Sequence, residues 1–182
     1  SAATGLVAWS LVETWRGGKP TAVGMATGAV AGLVGITPGA GFVTPAAGMA
    51  IGAITGLLCY FSVQLKVSLR FDDSLDTFAV HGVGGTIGAI LTGVFASAEL
   101  ISSHPAGQVL AENGRFALIA GQVQAVLVAY GLAALGTLLI AAILRGLGMP
   151  FRVPEEAENL GVDVREHGEE AYAERIGSPQ FH

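Results

Sequence analysis

The sequence has 182 residues, of which 52% are hydrophobic and 13% charged, with a net charge of −5. A soluble domain usually carries about 25% charged residues, so this composition excludes an ordinary soluble fold, and its hydrophobicity excludes a disordered chain. The acidic balance also argues against nucleic-acid binding, which needs a basic surface. A single cysteine, Cys59, excludes a disulfide framework. We therefore expect an all-α integral membrane protein.

Apolar stretches separated by polar turns predict five membrane-spanning helices, the first of them incomplete. A spanning helix needs roughly 20 apolar residues, and the predicted spans cover residues 2–15, 21–36, 45–67, 74–96 and 115–147. Residues 1–147 would thus form the transmembrane domain, and residues 148–182 a polar tail. The first stretch reads like the end of a helix already under way, so we expect a piece of a longer chain or one product of a cut chain.

The basic residues predict the orientation in the membrane. Six of the nine lie in alternate connections and after the last span: Arg16, Lys19, Lys66, Arg70, Arg145 and Arg152. Lys and Arg concentrate in the loops on the cytoplasmic side. We therefore expect a multi-pass protein of the cell (inner) membrane with a cytoplasmic C-terminus.

Glycines recur every four residues on three consecutive spans. The repeats are Gly24, Gly28 and Gly32, then Gly48, Gly52 and Gly56, and finally Gly84 and Gly88. Lipid provides no hydrophobic drive between helices, so small residues that allow close backbone approach hold them together. The pattern predicts a tight helical bundle.

His81 is an ionisable residue that we expect about two turns inside the fourth span. Helical spacing predicts a face that it shares with Thr77, Phe78, Gly84, Gly85 and Gly88. An ionisable residue at membrane depth is usually functional. Two interpretations remain open, a structural histidine bonded to a neighbouring helix and a site that a second helix or a substrate approaches through the glycines.

Three acids, Asp72, Asp73 and Asp76, stand at the start of the fourth span. Carboxylates at a helix N-terminus satisfy free N–H groups and complement the dipole. We expect Asp73 or Ser74 to be the N-cap, whereas Asp76 could equally cap the helix or tune the charge near a pore exit. We expect no metal, no cofactor and no enzyme activity, because His81 has no second ligand at metal spacing and Cys59 has no nearby base.

Three segments carry a family resemblance. They are RFDDSLDTFAVHGVGG at 70–85, TGAVAGLVGITP at 27–38, and the tail residues RVPEE at 152–156 with HGE at 167–169. Together they resemble the ammonium transporter (Amt) family from within its seventh membrane helix to its cytoplasmic tail. The resemblance implies part of a homotrimeric, eleven-helix fold with two inverted repeats and one narrow hydrophobic pore per subunit.

The resemblance also implies roles for individual residues. His81 matches the second of two paired pore histidines, and Asp76 matches the acid just below that pair. Val30 and Val34 match pore-lining positions, and Thr27 matches a hydroxyl residue near the cytoplasmic mouth. Thr77 and Phe78, on the predicted face of His81, complete the expected substrate pathway.

The expected function is transport of ammonium or ammonia with a paired-histidine proton relay, of which this chain carries one half. The alternative is an ammonium sensor that signals through its tail, and a third possibility is a fragment with structural contacts only. In the family the tail docks PII-type signalling proteins. The tail residues that we expect to regulate transport are Arg152, Glu155, Glu156, Gly161 and His167. Interspersed apolar residues predict that this tail docks onto the membrane domain near Lys66, Arg70 and Asp72.

Overall fold

The computed structural model describes residues 1–169. The chain divides into two compact units. The first covers Ser1–Tyr130, and the second begins at Gly131. The helices are α1 (Ala2–Gly17), α2 (Ala22–Ile36), α3 (Pro45–Ser68), α4 (Val83–Phe95), α5 (Pro105–Gly146) and α6 (Glu155–Leu160). Short helical turns follow α2 at Thr37–Gly39, precede α4 at Phe78–Gly82 and lie in the tail at Asp163–His167.

Four stretches of the described residues are long and apolar enough to cross a membrane: Ala22–Gly39, Pro45–Ser68, Phe78–Phe95 and Pro105–Gly146. The 16-residue α1 is shorter than a full span. Caps that are visible in the sequence explain why α2 and α3 match their predicted bounds closely. The Thr21 hydroxyl accepts the N–H of Gly24 at 2.9 Å, and that of Thr44 accepts the N–H of Ala47 at 3.3 Å.

The predicted glycine contacts are present between α1, α2, α3 and α4. A Cβ atom built on Gly28 would lie 2.5 Å from Trp9 Cβ, and one on Gly56 would lie 2.5 Å from the carbonyl oxygen of Gly5. A Cβ on Gly88 would collide with the carbonyl oxygen of Gly35. These helices therefore pack with backbone close to backbone, which confirms the tight bundle. Trp9, Ala31, Cys59, Tyr60 and Val80 form its largest buried cluster.

The start of the fourth span differs from the prediction. Residues 71–76 are not helical, and the helical part begins at Thr77 rather than at Ser74. Asp76 adopts a left-handed backbone conformation with a φ of 55°, which a regular helix excludes. The Asp73 carboxylate reaches forward and accepts the N–H groups of Thr77 and Phe78, each at 2.9 Å. Asp73 is thus the capping residue, and Ser74 is not.

The fifth predicted span has an additional segment before it. Helix α5 begins at Pro105, and its backbone is broken at Gly114, where φ is 79° and ψ is 177°. The predicted start at Arg115 coincides with the residue after this break. The Arg115 guanidinium donates to the carbonyl oxygens of Gly93, Val94 and Ala96 at 3.2, 2.7 and 3.1 Å. A cation thereby complements the C-terminal end of α4.

Candidate functional site

His81 lies in a widened helical turn, Phe78–Gly82, just before α4. The N–H of Val83 donates to the carbonyl oxygen of Phe78, five residues earlier, instead of four as in an α-helix. Such π-helical turns occur mostly singly and often at functional sites. His81 is therefore about one turn inside the helical part, not two, and its side chain is exposed.

The widened turn separates His81 from the glycines that were predicted to share its face. Thr77, Phe78 and His81 are exposed, whereas Gly84 and Gly88 are buried. One extra residue in the turn changes the angular register between the two groups, so the prediction of a single face is wrong for Gly84 and Gly88. We call the exposed residues Thr77, Phe78 and His81 the open face.

Neighbouring helices occupy the space beside the buried glycines. A Cβ on Gly84 would lie 3.1 Å from Cys59 Sγ and 3.3 Å from Val34 Cγ1, and Gly88 meets the backbone of Gly35. The sequence left open whether a second helix or a substrate approaches these glycines. In the structure, neighbouring helices lie against Gly84 and Gly88. His81 remains available on the open face.

Two hydroxyl groups fix the C-terminal end of the widened turn. The carbonyl oxygen of Gly82 accepts the Thr86 hydroxyl at 2.7 Å and the Tyr130 hydroxyl at 3.2 Å. The two hydroxyl oxygens are themselves 2.8 Å apart. Neither residue was selected from the sequence, although a tyrosine within the apolar run of α5 is a signal that could have been noticed.

The three candidate residues of α2 follow one another at helical spacing. Thr27, Val30 and Val34 are three and four residues apart, which places them on one side of α2. Val34 packs beside Gly84, while Val30 is 39% exposed. The Thr27 hydroxyl donates to the carbonyl oxygen of Val23 at 2.8 Å, within its own helix. The structure thus brings Val34 to α4 and leaves Val30 at the surface.

The loop between α3 and α4 contains an ion pair. Lys66 Nζ pairs with Asp76 Oδ1 and also donates to the carbonyl oxygen of Asp73. The Asp76 side chain therefore links the loop to α3, and of its two predicted roles the structure does not support capping. The Lys66 ammonium thus balances the charge of the Asp76 carboxylate.

Asp73 beside this pair has a perturbed acidity. Loss of hydration would raise the pKa of Asp73, but the N–H groups of Phe78 and Thr77 stabilise the anion, and the Lys66 charge adds to them. The net result is that the pKa of Asp73 is lowered below its usual range. The ionised carboxylate is thus the form that holds the start of the helix.

Aromatic and apolar residues surround the base of the open face. The Phe78 ring lies 6.4 Å from that of Phe71, with an interplanar angle of 51°. Both rings line a small apolar cavity together with Ser62, Leu65, Lys66, Leu69 and Ala79. A cation that has lost its water would be poorly stabilised at this aliphatic and aromatic surface.

His104 and Cys59 are not part of the open face. His104 is exposed, and its Nδ1 accepts the N–H of Ala106 at 3.2 Å. Cys59 is buried with its Sγ 3.8 Å from the carbonyl oxygen of Val80. Within residues 1–169, no group of three His, Cys, Asp or Glu side chains could hold a metal ion. His182 and Tyr172 lie outside the described residues.

The described part of the tail is folded into two short helical turns. Arg152 Nε pairs with Glu158 Oε1 at 2.7 Å, while Glu155 and Glu156 occupy the first turn of α6. Gly161 ends α6 with a φ of 105°, and His167 is exposed in the turn that follows. Docking of this tail near Lys66, Arg70 and Asp72 stays a prediction.

Comparison with known proteins gives a consistent result. The family model described as Ammonium Transporter Family matches residues 1–172. The ammonium transporter of Bacillus subtilis is 43% identical over 97% of this chain, and the Saccharomyces cerevisiae ammonium transporter MEP2 is 38% identical over 96%. The chain spans 43% and 36% of the length of these two relatives.

Solved structures agree with the sequence relatives. A structure described as a sensor Amt protein superimposes with a TM-score of 0.76 and 33% identity, covering 91% of this chain and 39% of that one. Candida albicans Mep2 gives a TM-score of 0.60 and 32% identity, covering 85% of this chain and 35% of the other.

Proposed function

The chain belongs to the ammonium transporter family, and on this premise we propose that it contributes one wall of a hydrophobic pore for ammonium or ammonia. The single observation that carries the proposal is His81, an imidazole on the open face of an otherwise apolar span. Val30 and Thr27 on α2 and Phe78 beside His81 supply the rest of this wall. The protein is a multi-pass membrane protein, so such a wall lies within the bilayer.

The chemistry of the cargo explains why an imidazole is useful there. Ammonium is a hydrated cation, and moving an unpaired charge into an apolar lumen costs far more than moving neutral ammonia. A neutral imidazole has one donor and one acceptor nitrogen. His81 can therefore orient ammonia and pass a proton along a hydrogen-bonded partner.

We propose that this partner is a second histidine, as the family resemblance implies. It would face His81 from a part of the transporter that matches no residue of this chain. In this scheme His81 is half of a relay that moves the proton, while ammonia crosses the lumen. Thr77 and Asp76 would lie at the inner end of the path, where Lys66 balances the charge of Asp76 and the ionised Asp73 beside them keeps a negative charge near the cation.

Orientation and assembly form a second part of the proposal. The alternating basic residues support a cytoplasmic tail in the cell (inner) membrane. The family resemblance supports a homotrimer with one pore in each subunit. The open face would then be covered by the remainder of the same subunit.

Uptake of methylammonium into cells that lack their own ammonium transporters tests the proposal. The protein is expressed as its native gene encodes it, alongside the variants His81→Ala and His104→Ala. We expect uptake by the wild type, strong loss or altered ion selectivity in His81→Ala, and no change in His104→Ala, because His104 lies in the connection before α5. Absence of uptake by well-expressed wild-type protein would refute the transport function.

The sensor interpretation is the second candidate, favoured by the likeness to the sensor Amt protein. We propose that the tail then transmits the state of the pore, with a PII-type protein as the possible partner. Its residues Arg152, Glu155, Glu156 and His167 would form the contact, and Gly161 would set the direction of the chain after α6. Removal of residues 148–182 separates the two functions, since a transporter retains a lowered but measurable ammonium-dependent current whereas a sensor loses partner binding.

Gly161 offers a finer test of the tail. Its φ of 105° is a conformation that a side chain with a branched Cβ disfavours strongly. Gly161→Val should therefore loosen the tail and lower transport while membrane insertion stays normal, and reversal of Glu155 and Glu156 to Lys should act in the same direction. Faster cleavage of the tail by protease without any change in transport would contradict this role.

A further inference from the structure

The hydroxyl groups of Tyr130 and Thr86 meet at one backbone atom. They lie 3.2 and 2.7 Å from the carbonyl oxygen of Gly82, which directly follows His81 in the chain. Tyr130 comes from α5, 48 residues further along, so the contact joins two helices. We call the hydroxyls of Tyr130 and Thr86 with the Gly82 carbonyl the hydroxyl clamp.

The position of the clamp coincides with the change from a widened to a regular turn. The Val83 N–H donates back to Phe78, and α4 continues as a regular helix from Val83. Helices bend or kink where such widened turns or inserted side chains interrupt the regular ladder of backbone hydrogen bonds. Side-chain hydroxyls that supply donors at this point favour the widened turn over a continuous α-helix.

Gly82 is also held from the other side. A Cβ atom on Gly82 would lie 2.8 Å from Cδ2 of the Phe78 ring, so this ring covers the glycine closely. Phe78 and the two hydroxyls thus fix the one residue that links His81 to α4. The direction of the His81 side chain depends on the backbone at this link.

We propose that Tyr130 and Thr86 are positioning residues that keep His81 on the open face by holding the widened turn. This inference rests on the transport function proposed above for His81. Neither hydroxyl needs to touch the cargo. Loss of the clamp would allow the turn to relax toward regular α-helical geometry, which would turn the imidazole away from the position of a relay.

Variants that remove a hydroxyl with little change in shape test the clamp. The hydroxyl donors are removed one at a time in Tyr130→Phe and Thr86→Val and together in the double variant. Thr86→Ser keeps the hydroxyl. The matched control is Thr14→Val, because the Thr14 hydroxyl also bonds a carbonyl oxygen four residues earlier, but Thr14 is exposed on α1. Each variant is prepared in the natural full-length protein.

Two readouts distinguish positioning from general stability. The first is methylammonium uptake as a function of pH and concentration, and the second is hydrogen–deuterium exchange of the backbone amides over residues 78–86. We expect Tyr130→Phe and Thr86→Val to lower the maximal rate about tenfold, as loss of one net hydrogen bond at the site would do, with little change in KM. The pH profile should shift, and exchange over 79–83 should accelerate.

The combined and conservative variants sharpen the outcome. We expect the double variant to be no worse than either single one, because both hydroxyls act on the same carbonyl, and Thr86→Ser and Thr14→Val to match the wild type. Unchanged pH profiles and unchanged exchange in both single variants would overturn the proposal. If the wild type does not transport, the proposed function fails instead, and exchange over 79–83 still decides whether the hydroxyls hold the turn.

Discussion

The two sides of the fourth helical segment differ in what they contact. On the packed side, a Cβ on Gly88 would collide with the backbone of Gly35 in α2, and one on Gly84 would crowd Cys59 Sγ in α3 and the Val34 side chain in α2. On the open face, Phe78 is 53% exposed and His81 is exposed as well. One helical segment can therefore pack through glycines on one side and present an ionisable side chain on another. Here the widened turn offsets the two sets of residues around the helix axis.

The largest effect is expected from a change on the packed side. In Gly88→Ala the new Cβ would collide with the backbone of Gly35, which cannot move aside as a flexible side chain could. We expect a loss of at least about 1–3 kcal/mol, the usual cost of overpacking. Thermal unfolding in detergent measures it, with Gly121→Ala in open space as the control. Equal stability of the two variants would show that the helices separate easily.

The next effect concerns the end of α4. Arg115→Met removes the donors to three carbonyl oxygens and the cation at the helix C-terminus. We expect a loss of about 1 kcal/mol, because hydrogen bonds from a charged donor are worth somewhat more than neutral ones but this residue is exposed. Arg115→Lys keeps the charge without the planar fork and should fall between wild type and Arg115→Met in the same thermal assay. If Arg115→Lys is as unstable as Arg115→Met, the positive charge at the end of α4 does not contribute to stability.

A smaller, pH-dependent effect is expected at the start of the helix. The pKa of Asp73 is lowered, so its ionised form stabilises the native turn above the ordinary value of 3.8, and this stabilisation is lost as the pH falls through the lower native pKa. Asp73→Asn should speed amide exchange at Thr77 and Phe78 near neutral pH, and the difference should shrink in acid. Glu112→Gln serves as the control, and a difference that persists in acid would contradict the prediction.

The smallest effect on stability is expected on the open face itself. His81→Ala should change the unfolding free energy by less than about 0.5 kcal/mol, as is usual for exposed side chains. The thermal midpoint in detergent checks this, measured on the same samples whose uptake is assayed. A large drop in stability would mean that His81 is chiefly a structural residue.

The sequence predicted those parts of the fold whose signals are local. The bounds of α2 and α3 followed from their apolar stretches, and the glycine repeats predicted the close packing of these helices. The start of the fourth segment was missed because it depends on Asp73 reaching four residues forward and on the pairing of Asp76 with Lys66 from another helix. The Asp73 contact is local and the Lys66–Asp76 pair is a tertiary contact, and helix propensity contains neither.

The candidate site was predictable to a similar degree. His81 follows from its chemistry at membrane depth, and Phe78 and Thr77 follow from spacing that the widened turn preserves. The separation of His81 from Gly84 and Gly88 could not be predicted, because periodicity arguments assume a regular helix. Tyr130 could not be assigned a partner, since the contact with Gly82 spans 48 residues of sequence.

The widened turn also bears on how this segment can vary in length. It contains one residue more than a regular turn, and each residue of an α-helix advances the chain by about 100° around the axis. Deleting a single residue between Phe78 and Gly82 would restore a regular helix without disturbing α4, yet it would turn the residues directly before the deletion around the helix axis by roughly that angle. An insertion or deletion here would rotate the preceding residues about the helix axis. Natural variants of this segment should therefore keep its length even where they change its residues.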